Sequence, residues 1–165
     1  MSVHFSEQTT YQDGTEESEC KVLYGNGQLW EHKSYRNGQL KECKFWYENG
    51  QPKLHEVYQN GKLEGEYKYW YENGQLAVQE FYHEGRREGE RKTWHANGQL
   101  GEQGILKNGK WEGKHVSWYG NGKFREIEFY KNGKLEGPYK CWNEDGQLIR
   151  DVFYQNDEAF KKTTD

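Results

Sequence analysis

Gly61-Lys62-Leu63-Glu64-Gly65-Glu66-Tyr67-Lys68-Tyr69-Trp70-Tyr71-Glu72-Asn73-Gly74-Gln75-Leu76-Ala77-Val78-Gln79-Glu80-Phe81-Tyr82-His83-Glu84-Gly85 is the stretch whose reading decides the fold. Asn73-Gly74 sits between aromatic and aliphatic residues, and Asn-Gly tolerates positive φ at both central positions of a type I′ hairpin turn. Gln75 to Tyr82 then reads as a strand, followed by a wider turn with glycines four apart, as at Gly61/Gly65 and Gly85/Gly89. A second glycine suits a longer loop with a left-handed or bulged residue. Glycine is costly inside a helix, and no segment between the key glycines exceeds 12 residues, so helices have no room.

Outward from this unit the pattern repeats. Gly14, Gly27, Gly38, Gly50, Gly61, Gly74, Gly85, Gly98, Gly109, Gly122, Gly133 and Gly146 are spaced alternately 11 and 13 residues apart, except for the step of 12 from Gly38 to Gly50. Asp157 stands where the next glycine would fall. The true repeat is therefore 24 residues with two turns, and a fixed period of this kind sets the architecture. It predicts an all-β fold: an elongated single-layer antiparallel meander of roughly thirteen short strands. Its parts are an N-terminal edge strand over 1–13, regular repeats over 14–156 and a tail over 157–165, together one array.

Side-chain phase agrees. Trp46, Trp70, Trp94, Trp118 and Trp142 recur every 24 residues, as do Val57, Phe81, Ile105, Phe129 and Phe153. With a two-residue loop at Asn73-Gly74, Trp70 faces Ala77. Alternation then puts Trp70 and Phe81 on one face and Tyr71, Leu76 and Tyr82 on the other. The tryptophans are expected to cover a column formed by Lys53, Ala77, Gly101, Arg125 and Ile149, with Lys53 and Arg125 lying across indole faces. Trp94 is then a core residue, whereas Trp30 and Trp111 lie out of phase and should matter less.

The chain is 32% hydrophobic, below the usual globular share of roughly 45–50%. It is 30% charged with a net charge of −4, a balance that would suggest disorder if aromatics, 16% of the residues, did not keep register with the repeat. A thin fold with little interior is implied. Cys20, Cys43 and Cys141 are odd in number and out of phase, which argues against a disulfide framework or a cysteine metal site. Met1 to Tyr11 lacks the basic and apolar regions of a signal peptide, and no apolar run approaches the ~20 residues of a membrane span. A cytoplasmic location is expected.

Tyr71-Glu72-Asn73-Gly74-Gln75-Leu76, followed by Tyr82-x-x-Gly85-x-x-x-Gly89, resembles the MORN repeat. The resemblance is to the variant found in bacterial proteins, including a group labelled YwqK-type antitoxins, and in some large DNA viruses. It runs from about Tyr11 to Tyr154. It implies a β-meander used to bind partners and sometimes to dimerise, and it brings no catalytic residue with it. The chain departs from the pattern at Glu42, which replaces a second glycine, at His95 and Asn143, which replace Tyr, and at Asp157.

Chemistry is sparse. The six histidines have no metal-like spacing and form no evident nucleophilic arrangement. Carboxylate pairs such as Glu126/Glu128 and Glu56/Glu80 would need a concave, partly buried site to act as acid and base. The glycine turns lack the following helix or the Lys-Ser/Thr of a phosphate loop. The basic run Arg86 to Lys92 contains two glutamates, unlike the one-signed patch that nucleic acid or anionic lipid requires. The expectation is no enzyme, no cofactor, no metal and no nucleic acid. Instead the chain is read as a protein-interaction module, with toxin neutralisation as one version. A structural component, for instance of a large viral particle, and a peripheral phospholipid-binding module are the alternatives. Candidate partner-binding residues are Trp70, Trp118, Phe81, Phe129 and Arg125. The final strand, Gln147 to Tyr154, carries Leu148, Val152 and Phe153 on an edge that should be covered, either by the tail folding back through Phe160 or by a second copy.

Overall fold

The computed structural model describes residues 4–12 and 14–160. The start of the expected edge strand over 1–13 and the end of the tail over 157–165 lie outside the described residues. The chain divides into two compact units, Met1–Gly85 and Arg86–Asp165.

The first unit contains β1 (His4–Gln12), β2 (Thr15–Leu23), β3 (Leu29–Arg36), β4 (Gln39–Trp46), β5 (Pro52–Gln59), β6 (Lys62–Leu63), β7 (Gly65–Trp70) and β8 (Leu76–His83). Each pairs antiparallel with its predecessor, β5 accepting both β6 and β7. The second unit contains β9 (Arg86–Arg87), β10 (Gly89–Trp94), β11 (Leu100–Lys107), β12 (Lys110–Trp118), β13 (Phe124–Lys131), β14 (Lys134–Leu135), β15 (Gly137–Trp142), β16 (Leu148–Gln155) and β17 (Glu158–Phe160). From β10 onward the same antiparallel order holds, with β13 accepting β14 and β15. No helix occurs among the described residues. The fold is an all-β antiparallel meander, with 17 strands among the described residues in place of about thirteen. The short strands β6, β9 and β14 lie inside what were read as wider turns, and β17 adds a last one.

The two turn types are the reverse of the expectation. Asn73 keeps an ordinary φ while Gly74 is left-handed at 83°, and the Gly74 N–H donates to the Tyr71 carbonyl at 2.9 Å. This is a type I turn closed by a left-handed glycine, a three-residue loop. The Gln75 N–H donates to the Asn73 side-chain oxygen at 3.0 Å, which ties the asparagine to its own backbone two residues on. The type I′ turns lie instead at the wider loops, where both central residues are left-handed: Asn60 at 51° with Gly61 at 73°, and Asn108 at 51° with Gly109 at 77°. The longer loop shifts the register. Trp70 lies opposite Leu76, and Ala77 is the extra residue of a bulge. Lys53 accordingly stacks on Tyr47, 5.4 Å from the ring centre, and not on an indole.

A second bulge follows the turns at Asn37-Gly38 and Asn108-Gly109, and its size accounts for the irregular step. Between β11 and β12 the pairs Ile105↔Glu112 and Gln103↔Val116 leave two extra residues on β12. Between β3 and β4 the pairs Tyr35↔Leu40 and Ser34↔Glu42 leave one extra residue on β4. That single residue is the shortfall between Gly38 and Gly50. Glu42 adopts no positive φ, so the second glycine is not needed there.

Both turn edges are laced from one repeat to the next. The Tyr47 hydroxyl donates to the Trp70 carbonyl at 2.7 Å and that of Tyr119 to the Trp142 carbonyl at 2.9 Å. The Asn49 amide donates to the Glu72 carbonyl at 2.8 Å and that of Asn121 to the Glu144 carbonyl at 3.0 Å. His95 serves in place of the tyrosine, its Nε2 2.9 Å from the Trp118 carbonyl. A carbonyl only accepts, so Nε2 carries the hydrogen. On the other edge the Glu64 carboxylate accepts the Glu84 N–H at 2.8 Å, and Glu112 accepts that of Asn132 at 2.7 Å. The recurrent Tyr, Asn and Glu of the repeat are thus bonded to the next turn.

Candidate functional site

Strand alternation gives each unit a tryptophan face and a tyrosine face. The tryptophan face of the first unit carries charge. Glu42 bonds Lys44 at 2.8 Å and His55 at 2.7 Å, and Glu19 sits 2.8 Å from Lys21 and 3.4 Å from His32. Glu66 repeats the motif with Lys68 and Gln79. Burial works to raise the Glu42 and Glu66 carboxyls, but hydrogen bonds from these neighbours outweigh it and hold both below the ordinary range.

In the second unit the motif survives only at Glu90, Lys92 and Gln103. One repeat further on, Lys114, Val116 and Ile127 occupy the positions of Glu42, Lys44 and His55. Val116 and Trp118 line a shallow cavity of about 400 Å³ with Ile105 and Phe124. Phe124 bridges Trp118 and Trp142, with ring centres 5.9 and 5.8 Å away. Ile105, Phe124, Leu148 and Phe153 are 46%, 47%, 49% and 42% exposed.

The tyrosine face holds most of the buried side chains. In the first unit a carboxylate–tyrosine pair recurs: the Tyr58 hydroxyl donates to Glu56 and that of Tyr82 to Glu80, each at 2.8 Å, with Glu80 buried. Burial, reinforced by the adjacent carboxylate, pushes the Tyr58 hydroxyl well above its ordinary value. Cys43 is buried too, which pushes its thiol up to about 11 and leaves it unreactive near neutrality.

In the second unit Gly104 and Leu106 take the places of Glu80 and Tyr82. The vacated space is filled by Trp111, which stacks on the buried His115 with ring centres 4.5 Å apart. A Cβ on Gly104 would lie 2.9 Å from the Trp111 ring and 3.0 Å from that of His115. His115 Nδ1 donates to Glu128 at 2.7 Å, and Nε2 lies 3.5 Å from Glu102, which Arg91 also pairs. Trp111 is therefore a packing residue, contrary to its expected lesser weight, because it answers a missing carboxylate on the adjacent strand. Beside it opens a cavity of about 630 Å³.

Of the candidate binding residues, Trp70 and Phe81 lie on the tryptophan face of the first unit, and Trp118 and Phe129 on that of the second. Arg125 does not cover an indole. It is the extra residue of the bulge at Trp118↔Phe124 and pairs with Glu126 at 3.2 Å. Phe124 takes the place expected for it. At the last strand, Phe153, Tyr154 and Gln155 pair with Phe160, Ala159 and Glu158, so the tail folds back over part of the edge. Leu148 and Val152 are not covered by β17.

Five consecutive matches to a MORN repeat variant cover residues 39–60, 63–84, 87–108, 111–132 and 135–156. The chain belongs to the MORN repeat family. Repeats of this family are generally protein- or lipid-interaction modules. The matches begin at 39, well inside the stretch from Tyr11 read in the sequence, although β1–β3 follow the same strand pattern. No curated protein matches the chain.

Proposed function

We infer that this chain is a non-enzymatic module that binds a protein partner on the tryptophan face of its second unit. One observation carries the reading: Ile105, Phe124, Leu148 and Phe153 are each more than two-fifths exposed on a face whose counterpart in the first unit is charged. Large apolar side chains gathered on one face mark an interaction surface, and aromatic anchors dominate such contacts. Trp118 and Phe129 belong to this surface, and Trp70 and Phe81 extend the candidate set into the first unit. Neutralising a toxin is the version that the family resemblance suggests.

Site-specific photo-cross-linking tests this. A photoreactive residue at 105 or 124 is expected to give protein adducts in the native host, and one at 56 or 80 on the tyrosine face to give none. Equal labelling from both faces, or lipid adducts in place of protein, would overturn it.

A further inference from the structure

The cavity beside Trp111 lies on the opposite face, where one repeat departs from its neighbours at four positions together. Leu63, Tyr67, Glu80 and Tyr82 of the preceding repeat become Arg87, Arg91, Gly104 and Leu106. The change removes one carboxylate, adds two guanidinium groups and deletes the two tyrosine rings that pack together in the preceding repeat. What remains is a recess of about 630 Å³ floored by Trp111 and rimmed by Arg87, Arg91, Lys110 and Lys134, with Glu102 as the acid in its lining. Lys110 and Lys134 stand on successive type I′ turns, exposed and without an ion-pair partner among the described residues. Arg91 already holds the Glu102 carboxylate and lies 5.8 Å from the centre of the Trp111 ring. The recess is thus built for planar oxyanions against an aromatic floor. Its positive sign opposes that of the chain, whose net charge is −4.

We propose that this recess binds the carboxylate side chains of an acidic segment of a protein, rich in Asp or Glu. The cations ring a concavity next to a fixed carboxylate, a poor match to the flat anionic surface of a membrane. A peptide places one carboxylate between the lysines and a second near Arg87, with its aliphatic carbons on the Trp111 ring. The site is separate from the tryptophan face, and neither reading depends on the other.

Titrating the isotopically labelled full chain with a short acetylated oligo-glutamate peptide, followed by NMR, tests the assignment. The Trp111 indole N–H and the Lys110 and Lys134 amides are expected to shift, and the affinity to fall as salt is raised. Lys110→Glu/Lys134→Glu should weaken binding by at least about tenfold with the β-sheet circular dichroism unchanged, while Trp118→Ala leaves it intact. No shift, an equal shift with an oligo-serine peptide, or indifference to the charge reversal would overturn the proposal. So would a response at Trp111 to phosphatidylserine vesicles or inorganic phosphate but not to the peptide, or the same shifts arising from self-association of the free protein.

Discussion

The two units share their turns and differ in their faces. At the turns, Tyr47 and Tyr119 reach the same carbonyl one repeat on, and Glu64 and Glu112 accept the same backbone N–H. On the tryptophan face, Glu42, Lys44 and His55 form a hydrogen-bonded charged set, while at the same repeat positions Lys114 keeps one exposed cation and Val116 and Ile127 put aliphatic side chains where Lys44 and His55 stand. On the tyrosine face, Glu80 and Tyr82 give way to Gly104 and Leu106 with Trp111 compensating. The turn chemistry keeps the strands in register, and the faces are then free to diverge. A charged face whose ions satisfy one another stays in water, whereas an apolar face of the same geometry calls for a partner.

The largest effect is expected where the second unit relies on its substitute packing. Trp111→Ala should destabilise by about 3 kcal/mol, the low end for an aromatic truncation because the ring is only half-buried. Gly104→Ala should cost about 1–3 kcal/mol, since the new methyl would press on Trp111 and His115 and the stacked pair has to shift. The two changes should not add, because removing the indole makes room for the methyl. Chemical denaturation of both single variants and the double variant measures the coupling. Strict additivity would mean that Trp111 does not answer the missing Glu, and the contrast between the units would lose its main support.

A smaller change tests whether the faces are interchangeable. Lys114→Glu/Val116→Lys/Ile127→His writes the first unit's charged set into the second. The variant should fold and lose no more than about 2 kcal/mol, chiefly from the loss of buried Val116. Cross-linking from residue 124 should fall sharply. Unfolding would show that the apolar face is needed for stability and is not free for binding.

Much of this was legible in the sequence, and the misreadings have physical causes. Glycine spacing gave the strand order, because only glycine and asparagine enter left-handed turns cheaply. Asn-Gly alone does not separate a type I′ turn from a type I turn closed by a left-handed glycine. The separating signal was the tyrosine two residues before the asparagine, as Tyr47 before Asn49, whose bond to the Trp70 carbonyl appears only when the next repeat is in place. The constant tryptophan phase pointed to the wrong buried face. Periodicity reports which side chains share a face, but burial depends on what stands opposite, and on the tyrosine face the Glu56–Tyr58 and Glu80–Tyr82 pairs close over the strands. Trp111 was readable as well. Aligning Leu63, Tyr67, Glu80 and Tyr82 with Arg87, Arg91, Gly104 and Leu106 exposes a lost volume that only a larger neighbour could fill.

The smallest effect separates the units by pH. Hydrogen bonds from Lys44 and His55 to Glu42, and from Lys68 and Gln79 to Glu66, prevail over burial and hold both carboxyls below the ordinary range, and Lys21 does the same for Glu19. A carboxylate whose pKa is lower folded than unfolded stabilises the fold above its unfolded pKa, and that contribution is lost as pH falls through the folded value. In the second unit Lys92 and Gln103 lower Glu90 in the same way, one such carboxyl against three. Acidification from about pH 6 to pH 3 should therefore weaken the first unit more than the second, by a few tenths of a kcal/mol for each partly exposed pair. Hydrogen exchange at the amides of β4 and β5, compared with β12 and β13, reads the two units separately. Glu42→Gln/Glu66→Gln should flatten the response of β4 and β5 and leave β12 and β13 as they were. A parallel loss of protection in both units, unchanged in that variant, would mean that the charged set is solvated decoration and that the faces differ in composition but not in energy.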